Sequence, residues 1–491
     1  MTIGIEVKAY DLGAAAEVTL YFSDEGFVTK PTDVPANTWF ESRLESQPRL
    51  ARAMFDKAGT YGATKNTPGA IELSNPDGGV DYLMTNYAFD GRAFTVRVGD
   101  KSQPYAAWPV VLLGVLDSVT AGDNTLSLVI RDRVAALSTT LPRPKYAGDN
   151  VAPNGVEGTK DDLKDQYKPR VYGTVSNASA KFVNTSKLIY QVSDQNCAVT
   201  AAYDDGVALT RGADYTSLVD LLATAPAAAQ FRCWQGYFRL GSTPAGQITA
   251  DATTVTVGAA SLLEQIAKDG GVLQAEIVSA ALDVAGTTDA GIWADGDVTP
   301  QTLLDRLANS LGCWYGFDRL NKFRYGRLDA PTGTPAAVFD WTDLQALSVK
   351  VADTPTWRVV VKYARNYTVQ AQPAGSVSQT RKAYLAEEYR QQATETAAVK
   401  TPWPSAQELT FETQLVTQAG ATALANSLGA LYSVLRLRVD VEIALTDLGN
   451  LDLGSVVKIN TSRFNLSARL LKVIGMDAGV ANESAKLTLW G

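Results

Sequence analysis

Hydrophobic and polar residues alternate along most of the chain, a pattern typical of strands with one buried face. In the segment 437–443, Leu, Val or Ile occupies every second position, while Arg438, Asp440 and Glu442 lie between them. The same alternation covers residues 18–22, 94–98 and 125–130. Gly, Asn, Asp and Pro bound these runs, so we predict a mainly β, multidomain protein with a few short α-helices (α+β).

Three short helices are predicted within this β pattern. The clearest begins after Thr299, whose hydroxyl can cap the helix, and it has Pro300 at its first position and Gly312 at its end. A hairpin of 313–317 and 323–325 is expected to follow. The two other helices are predicted over 260–268, closed by Gly270, and over 418–435.

A chain of 491 residues is too long to fold around one hydrophobic core, so we expect roughly three domains. Breaks in composition predict the boundaries. We expect a β domain over 1–141, an exposed linker over 142–169, a β-rich middle domain over 170–250, an α+β domain with a helix and a hairpin over 251–335, and a C-terminal β domain with one helix over 336–491.

The two ends of the chain share one order of segments: a strand, a loop, a strand ending near Gly and Asp, a polar turn and a Leu-x-Leu strand. The N-terminal copy is 94–98, 110–117 and 125–128, and the C-terminal copy is 456–459, 469–477 and 486–489. The pattern allows either a duplicated unit or two unrelated β-meanders.

Composition excludes several classes of function. The chain has no His, which excludes Ser-His-Asp and Cys-His nucleophiles and His-based zinc sites. Its three cysteines, Cys197, Cys233 and Cys313, lack metal or redox spacing and are predicted to be buried thiols made in a reducing cytoplasm. With 44 Lys and Arg against 52 Asp and Glu, the net charge of −8 disfavours a surface that binds nucleic acid over the whole molecule.

No membrane segment or signal peptide is predicted. Residues 1–20 include Glu6 and Asp11 where a signal peptide would carry basic and then apolar residues. The longest apolar stretch, 106–116, contains Pro109 and is shorter than the roughly 20 residues that cross a bilayer. We expect a protein that is soluble when made.

Two acidic groups have oxygen ligands suited to calcium: Asp295 with Asp297, and Asn75 with Asp77 and Asp81. A turn and a helix N-terminus explain both groups as structural features.

The pair Glu387–Glu388 supplies two carboxylates, the groups that glycosidases use in catalysis. Adjacent residues of a strand point to opposite faces, however, so these two would not converge on a substrate. Aromatic residues at 314, 315, 317, 323 and 325 would suit either glycan stacking or packing across a hairpin, and packing is favoured. We therefore predict no catalytic residue, no metal ligand and no cofactor, and hence no enzyme.

Five groups of residues spread along the chain form a recognisable set. They are GAIELSNPDGG at 69–79 with DGR at 90–92, YFRLGSTPAGQITAD at 237–251, WYGFDR at 314–319, WRVVVKY at 357–363 with RN at 365–366, and LTLWG at 487–491. Together they resemble the baseplate or tail-tip hub proteins of long noncontractile-tailed bacteriophages. The chain lacks the four-cysteine cluster and the fused peptidase segment of some relatives.

The resemblance implies a structural hub with two tube-like β-barrel domains per chain, formed by 1–141 and 336–491, and smaller α+β domains inserted between them. Three such chains would close a six-fold tail tube, and DNA would pass through without specific binding. The implied partners are two further copies in a homotrimer, the tail tube or distal tail protein, the tape-measure protein and a central fibre or spike. The implied location is the virion tail tip, after synthesis in the bacterial host cytoplasm.

Two other functions remain open from the residues alone. One is a receptor- or glycan-binding baseplate subunit, which would depend on exposed aromatic residues. The other is a carboxylate-based polysaccharide hydrolase.

Overall fold

The computed structural model describes residues 2–46, 50–55, 61–449, 451–479 and 484–491. It has 40% strand and 18% helix in several sheets, which confirms the predicted mainly β class. In the described residues no helix is long and apolar enough to cross a membrane.

Strands are the main regular elements of the first third of the chain, with one short α-helix among them. Its elements are β1 (Thr2–Asp11), β2 (Ala16–Ser23), β3 (Phe27–Val28), β4 (Trp39–Ser42), β5 (Leu44–Ser46), β6 (Leu50–Ala53), β7 (Gly62–Ala63), β8 (Lys65–Pro68), β9 (Ala70–Ser74), α1 (Tyr82–Asn86), β10 (Tyr87–Ala88), β11 (Ala93–Gly99), β12 (Val110–Ala121) and β13 (Thr125–Arg131).

The middle of the chain combines strands with helices. Its elements are β14 (Arg170–Ala178), β15 (Lys181–Asn184), β16 (Ile189–Gln191), β17 (Ala198–Asp204), β18 (Val207–Ala208), β19 (Thr210–Arg211), α2 (Leu218–Ala223), β20 (Gln230–Trp234), β21 (Tyr237–Leu240), β22 (Ile248–Thr253), α3 (Ala259–Asp269), β23 (Ile277–Val278), β24 (Gly291–Ala294), α4 (Pro300–Leu311), β25 (Cys313–Phe317) and β26 (Phe323–Arg327).

The last third returns to strands with two helices between them. Its elements are β27 (Ala337–Asp340), β28 (Leu344–Val351), β29 (Arg358–Tyr363), α5 (Gln379–Ala386), β30 (Arg390–Glu395), β31 (Glu408–Glu412), α6 (Gln418–Tyr432), β32 (Leu437–Ala444), β33 (Val456–Asn460), β34 (Leu470–Gly479) and β35 (Ser484–Trp490).

The predicted helices are present at α3, α4 and α6, and capping explains their ends. Thr299 Oγ1 accepts a bond from the Thr302 amide at the start of α4, and Gly312 ends it in the left-handed conformation at φ 60°. Helix α6 ends at Tyr432, three residues before the predicted end at 435. The Tyr432 carbonyl accepts a bond from the Thr356 amide at 2.8 Å.

The N-terminal sheet has the strand order β3-β4-β2-β1-β11-β12-β13-β9-β5. Only Arg43 separates β4, near one end of this order, from β5 at the other end. The sheet therefore curls until its two ends meet at Arg43. Alternate residues such as Ile5, Phe94 and Leu128 face a shared core inside the curl.

The C-terminal sheet has the order β27-β33-β34-β35-β32-β28. Its two end strands, β27 and β28, are separated by only residues 341–343. This sheet therefore curls in the same way, around a core that includes Val441, Val457 and Leu487.

Six strands recur in both sheets in the same order along the chain and in the same order across the sheet. They are β4, β5, β9, β11, β12 and β13 in the N-terminal sheet and β27, β28, β32, β33, β34 and β35 in the C-terminal sheet. The hairpin β1–β2 is an addition between β4 and β11. In both sheets a longer segment leaves between the second and third strands, at 47–69 and at 352–436.

Two β-bulges occupy equivalent positions in the two sheets as well. Strand β12 has a bulge opposite β13, and β34 has a bulge opposite β35. When these two bulges are aligned, Leu44 of β5 corresponds to Leu344 of β28, and the register of both strands shifts at the next residue. The residue at the bulge is Asp117 in β12 and Ile474 in β34. Because a bulge re-aims a strand, this coincidence indicates that the two sheets also bend at equivalent points.

Between the two curled sheets, helices α3 and α4 pack together on the hairpin β25–β26 around one core. Two five-stranded sheets complete the middle of the chain. Segment 142–169, predicted as an exposed linker, forms no helix or strand but buries Tyr146, Val156 and Leu163 against β15, β16 and α2. The Tyr146 hydroxyl donates to Gln191 Oε1 at 2.7 Å, which holds the segment down.

Candidate assembly interface: a crossing arm and an open sheet edge

Part of the segment that leaves the N-terminal sheet crosses to the C-terminal sheet. We call its described residues, 50–55 and 61–68, the crossing arm. Strands β6 and β8 form a hairpin, and β6 pairs antiparallel with the second half of β34. Arg52 lies opposite Met476 in this ladder, and Met54 donates its amide to Ile474 O at 2.7 Å. One chain thus joins its own two curled sheets by strand addition.

A buried ion pair holds the arm in place. Arg52 Nη1 donates to Asp452 Oδ1, and Nη2 donates to Phe317 O at 3.2 Å. The Arg52 side chain is 2% exposed and that of Asp452 is 28% exposed. The pair links three parts of the chain, because Asp452 precedes β33 and Phe317 ends β25.

The arm also pairs with the middle of the chain through β7, which runs parallel to β25. Thr64 donates its amide to Tyr315 O at 2.7 Å and lies directly over Gly316. A Cβ on Gly316 would lie 1.7 Å from Thr64 Oγ1, so only glycine fits beneath the arm.

We expect Gly316→Ala to lower the free energy of unfolding by about 1–3 kcal/mol, because the added methyl group pushes Thr64 and the arm away from β25. Urea unfolding of the two proteins measures the difference. The exchange variant Thr64→Gly with Gly316→Ala should recover most of the loss, since Thr64 Oγ1 has no hydrogen-bond partner among the described residues. Equal stability of Gly316→Ala and the parent would contradict this packing.

Among the described residues, no such partner covers the second half of β12, the strand that corresponds to β34, on the edge away from β13. Its first half pairs with β11 on that side, up to Val115, and residues 118–121 pair only with β13 among the described residues. Aligned through the bulge, 118–121 corresponds to 475–478, the residues that β6 covers in the C-terminal sheet.

A groove of about 1150 Å³ lies between the arm and the outer face of the C-terminal sheet. Its lining combines apolar side chains such as Phe55 and Trp490 with the charged residues Arg438, Asp440 and Glu442. Lys486 approaches Glu442 at 3.9 Å, and Arg438 approaches Asp440 at 3.7 Å. The paired charges make this face close to neutral.

The acidic groups considered for calcium are bonded to protein donors. Asp77 accepts from Arg43 Nη2 at 2.9 Å, and Asp81 accepts from Asn75 Nδ2 at 2.7 Å. Lys181 Nζ donates to Asp295 Oδ2 at 2.9 Å, and Thr140 Oγ1 donates to Asp297 Oδ1 at 2.8 Å. The part of the chain that the structure describes contains no cluster of three or more potential metal ligands.

The carboxylate and aromatic candidates have structural surroundings. Glu388 forms an ion pair with Arg365 at 3.0 Å on the surface. The aromatic residues at 314, 315, 317, 323 and 325 are all at least 93% buried, so they form part of the cores around β25 and β26. The structure places no exposed stacking platform at this hairpin.

All three cysteines are buried and free, as predicted. Burial raises the pKa of each thiol to about 12. We expect a thiol reagent at pH 8 to label none of the three in the folded protein and all three in denaturant, because the thiolate is the reactive form. Rapid labelling of one thiol in the folded protein would contradict its placement.

Neither a scan against protein-family models nor a search of curated proteins found a match. Solved structures show similarity over most of the chain. A tail protein from Neisseria meningitidis MC58 has 10% identity and a TM-score of 0.46, covering 99% of this chain and 97% of that one. The 43 kDa tail protein of prophage MuSo2 from Shewanella oneidensis has 10% identity and a TM-score of 0.43, covering 99% and 98%. A chain of a native gene transfer agent virion has 15% identity and a TM-score of 0.44, covering 72% and 91%.

Proposed function

We propose that this chain is a structural hub of a phage tail tip or baseplate, and not an enzyme. Three copies would form a ring that closes the tail tube and joins it to the distal tail protein and to a central fibre or spike. The observation that carries the proposal is the six-strand unit present twice in one chain, with the same strand order and two bulges at equivalent positions.

The repeat supports a ring because two equivalent units per chain allow three chains to present six similar sites. Each of the six sites can then bind one subunit of a sixfold ring, and all six subunits use the same surface. The crossing arm supports the same arrangement, since it fixes the two units of one chain side by side. Each sheet is already curled until its ends meet, which suits the tube-like barrel of such a ring.

The proposed channel would let DNA pass without holding it. The net charge of −8 and the paired charges on the outer face of the C-terminal sheet favour an acidic or neutral wall. Such a wall does not concentrate phosphates, whereas clustered cations would bind them. A channel lined continuously by Lys and Arg would contradict this part of the proposal.

Light scattering of the purified chain tests the assembly. We expect a particle of three times the 52.5 kDa chain mass. Mass spectrometry of purified virions should find the chain in the tail fraction. A monomer at every concentration, or absence from the virion, would contradict the proposal.

A further inference from the structure

The open edge of β12 has backbone groups that point away from its partner. The Gly122 amide donates to Thr125 O at 2.8 Å across the hairpin turn, so this pair is hydrogen-bonded. Hydrogen-bonded and non-hydrogen-bonded pairs alternate along an antiparallel ladder. The N–H and C=O groups of Val119 and Ala121 therefore point away from β13, toward the open edge.

The equivalent groups of the C-terminal sheet are satisfied by the arm. Val119 and Ala121 correspond to Met476 and Ala478, which lie opposite Arg52 and Leu50. The bond from the Met54 amide to Ile474 O sets the same alternation there, so Met476 and Ala478 point toward β6. The two sheets thus present the same edge, covered in one and open in the other among the described residues.

The open edge, which follows the bulge at Asp117, has no charged residue and no proline of its own to prevent strand pairing. Residues 118–121 read Ser-Val-Thr-Ala, with no charge and no proline. Thr120 and Ala121 are exposed, and Val119 packs partly on the core. Natural proteins normally protect such edges with lysine, proline or a covering segment, so an unprotected edge indicates a partner strand.

We propose that a strand from a second copy of this chain covers this edge by adding antiparallel to β12 at Val119 and Ala121. The donor would be the segment 352–436, which leaves the C-terminal sheet at the position where the arm leaves the N-terminal sheet. Around the ring, each unit would then receive a strand from the unit before it. The links would alternate between those within a chain and those between chains. This inference rests on the proposed ring.

Hydrogen–deuterium exchange of the full chain, resolved to single amides, tests the pairing. In the trimer we expect the outward amides of Val119 and Ala121 to be protected about as well as the inward amide of Thr120, by about 100-fold or more over an unstructured peptide. A trimer in which Val119 and Ala121 exchange like an unstructured peptide overturns this inference and leaves the hub proposal standing. A monomer at every concentration overturns both.

A pair of variants at one position tests the contribution of the edge. Ala121→Pro removes an outward N–H and leaves the pairing of β12 with β13, whereas Ala121→Ser keeps the N–H. We expect Ala121→Pro to weaken trimer assembly by about tenfold or more and Ala121→Ser to assemble like the parent, as measured by light scattering on dilution. Equal assembly of the two variants, with equal melting temperatures, would overturn the inference.

Discussion

Replacing Asp452 with alanine is expected to destabilise the protein by about 3–5 kcal/mol and to release the crossing arm. The substitution leaves the guanidinium of Arg52, 2% exposed, without its carboxylate, and an unpaired buried charge is costly. Thermal unfolding measures the loss of stability. Trypsin digestion measures the release of the arm, because Arg52 and Lys65 lie within it.

Two controls separate the buried charge from a general effect of substitution. Arg52→Met should cost less than Asp452→Ala, because the carboxylate it leaves behind is 28% exposed and can be hydrated. Asp214→Ala, which breaks an exposed pair with Arg211, should change stability by no more than about 0.5 kcal/mol. An Asp452→Ala protein that is as stable and as protease-resistant as Asp214→Ala would contradict the role of the pair.

The second large effect is expected at Asp194, in the middle of the chain. Arg170 Nε donates to Asp194 Oδ1 at 2.8 Å, and Arg170 Nη1 donates to Asp269 Oδ2 at 3.0 Å. The Asp194 side chain is 3% exposed and that of Arg170 is 8% exposed. This network joins β14, the turn after β16 and helix α3, so it holds the two middle sheets and the helix together.

We expect Asp194→Ala to lower the free energy of unfolding by about 3 kcal/mol, because Arg170 loses two charge-assisted bonds while its bond to Asp269 remains. Asp194→Asn, which keeps the shape but not the charge, should cost less. Urea unfolding measures both variants against the parent, with Asp214→Ala again as the matched surface control. A loss for Asp194→Ala no larger than that of Asp214→Ala would show that the network does not stabilise the middle sheets.

The sequence predicted those strands and helices whose bounds depend on neighbouring residues. The alternation at 437–443 became β32, and Thr299, Pro300 and Gly312 marked the ends of α4. Both depend on residues within a few positions of one another, so the sequence shows them directly.

The register of the repeat could not be predicted in this way. Each of the two sequence segments has a Gly and an Asp near its strand end, at positions 114 and 117 and at positions 475 and 477. When the bulges are aligned, however, Asp117 corresponds to Ile474. The shared Gly and Asp therefore occupy different register positions. The equivalence lies in strand neighbours and bulges, which are long-range properties that single-residue matches do not report.

The crossing arm and the open edge left no signal in the sequence. Strand β6 is only four residues long, and its partner in β34 lies more than 400 positions away. In the sequence, nothing distinguishes Arg52 from the cationic residues of the surface, because its partner Asp452 is adjacent only in the folded chain. A short strand with a distant partner has no periodicity of its own, so only the folded chain identifies the interface.

Electron cryomicroscopy of the purified assembly, viewed along its axis, shows whether three chains form one ring around a channel. We predict three chains around one channel, with six similar curled sheets forming the ring. Sheets formed by residues 1–141 and sheets formed by residues 336–491 should alternate around it. A ring with a single curled sheet per chain facing the channel, or an assembly with no axial channel, would contradict the account.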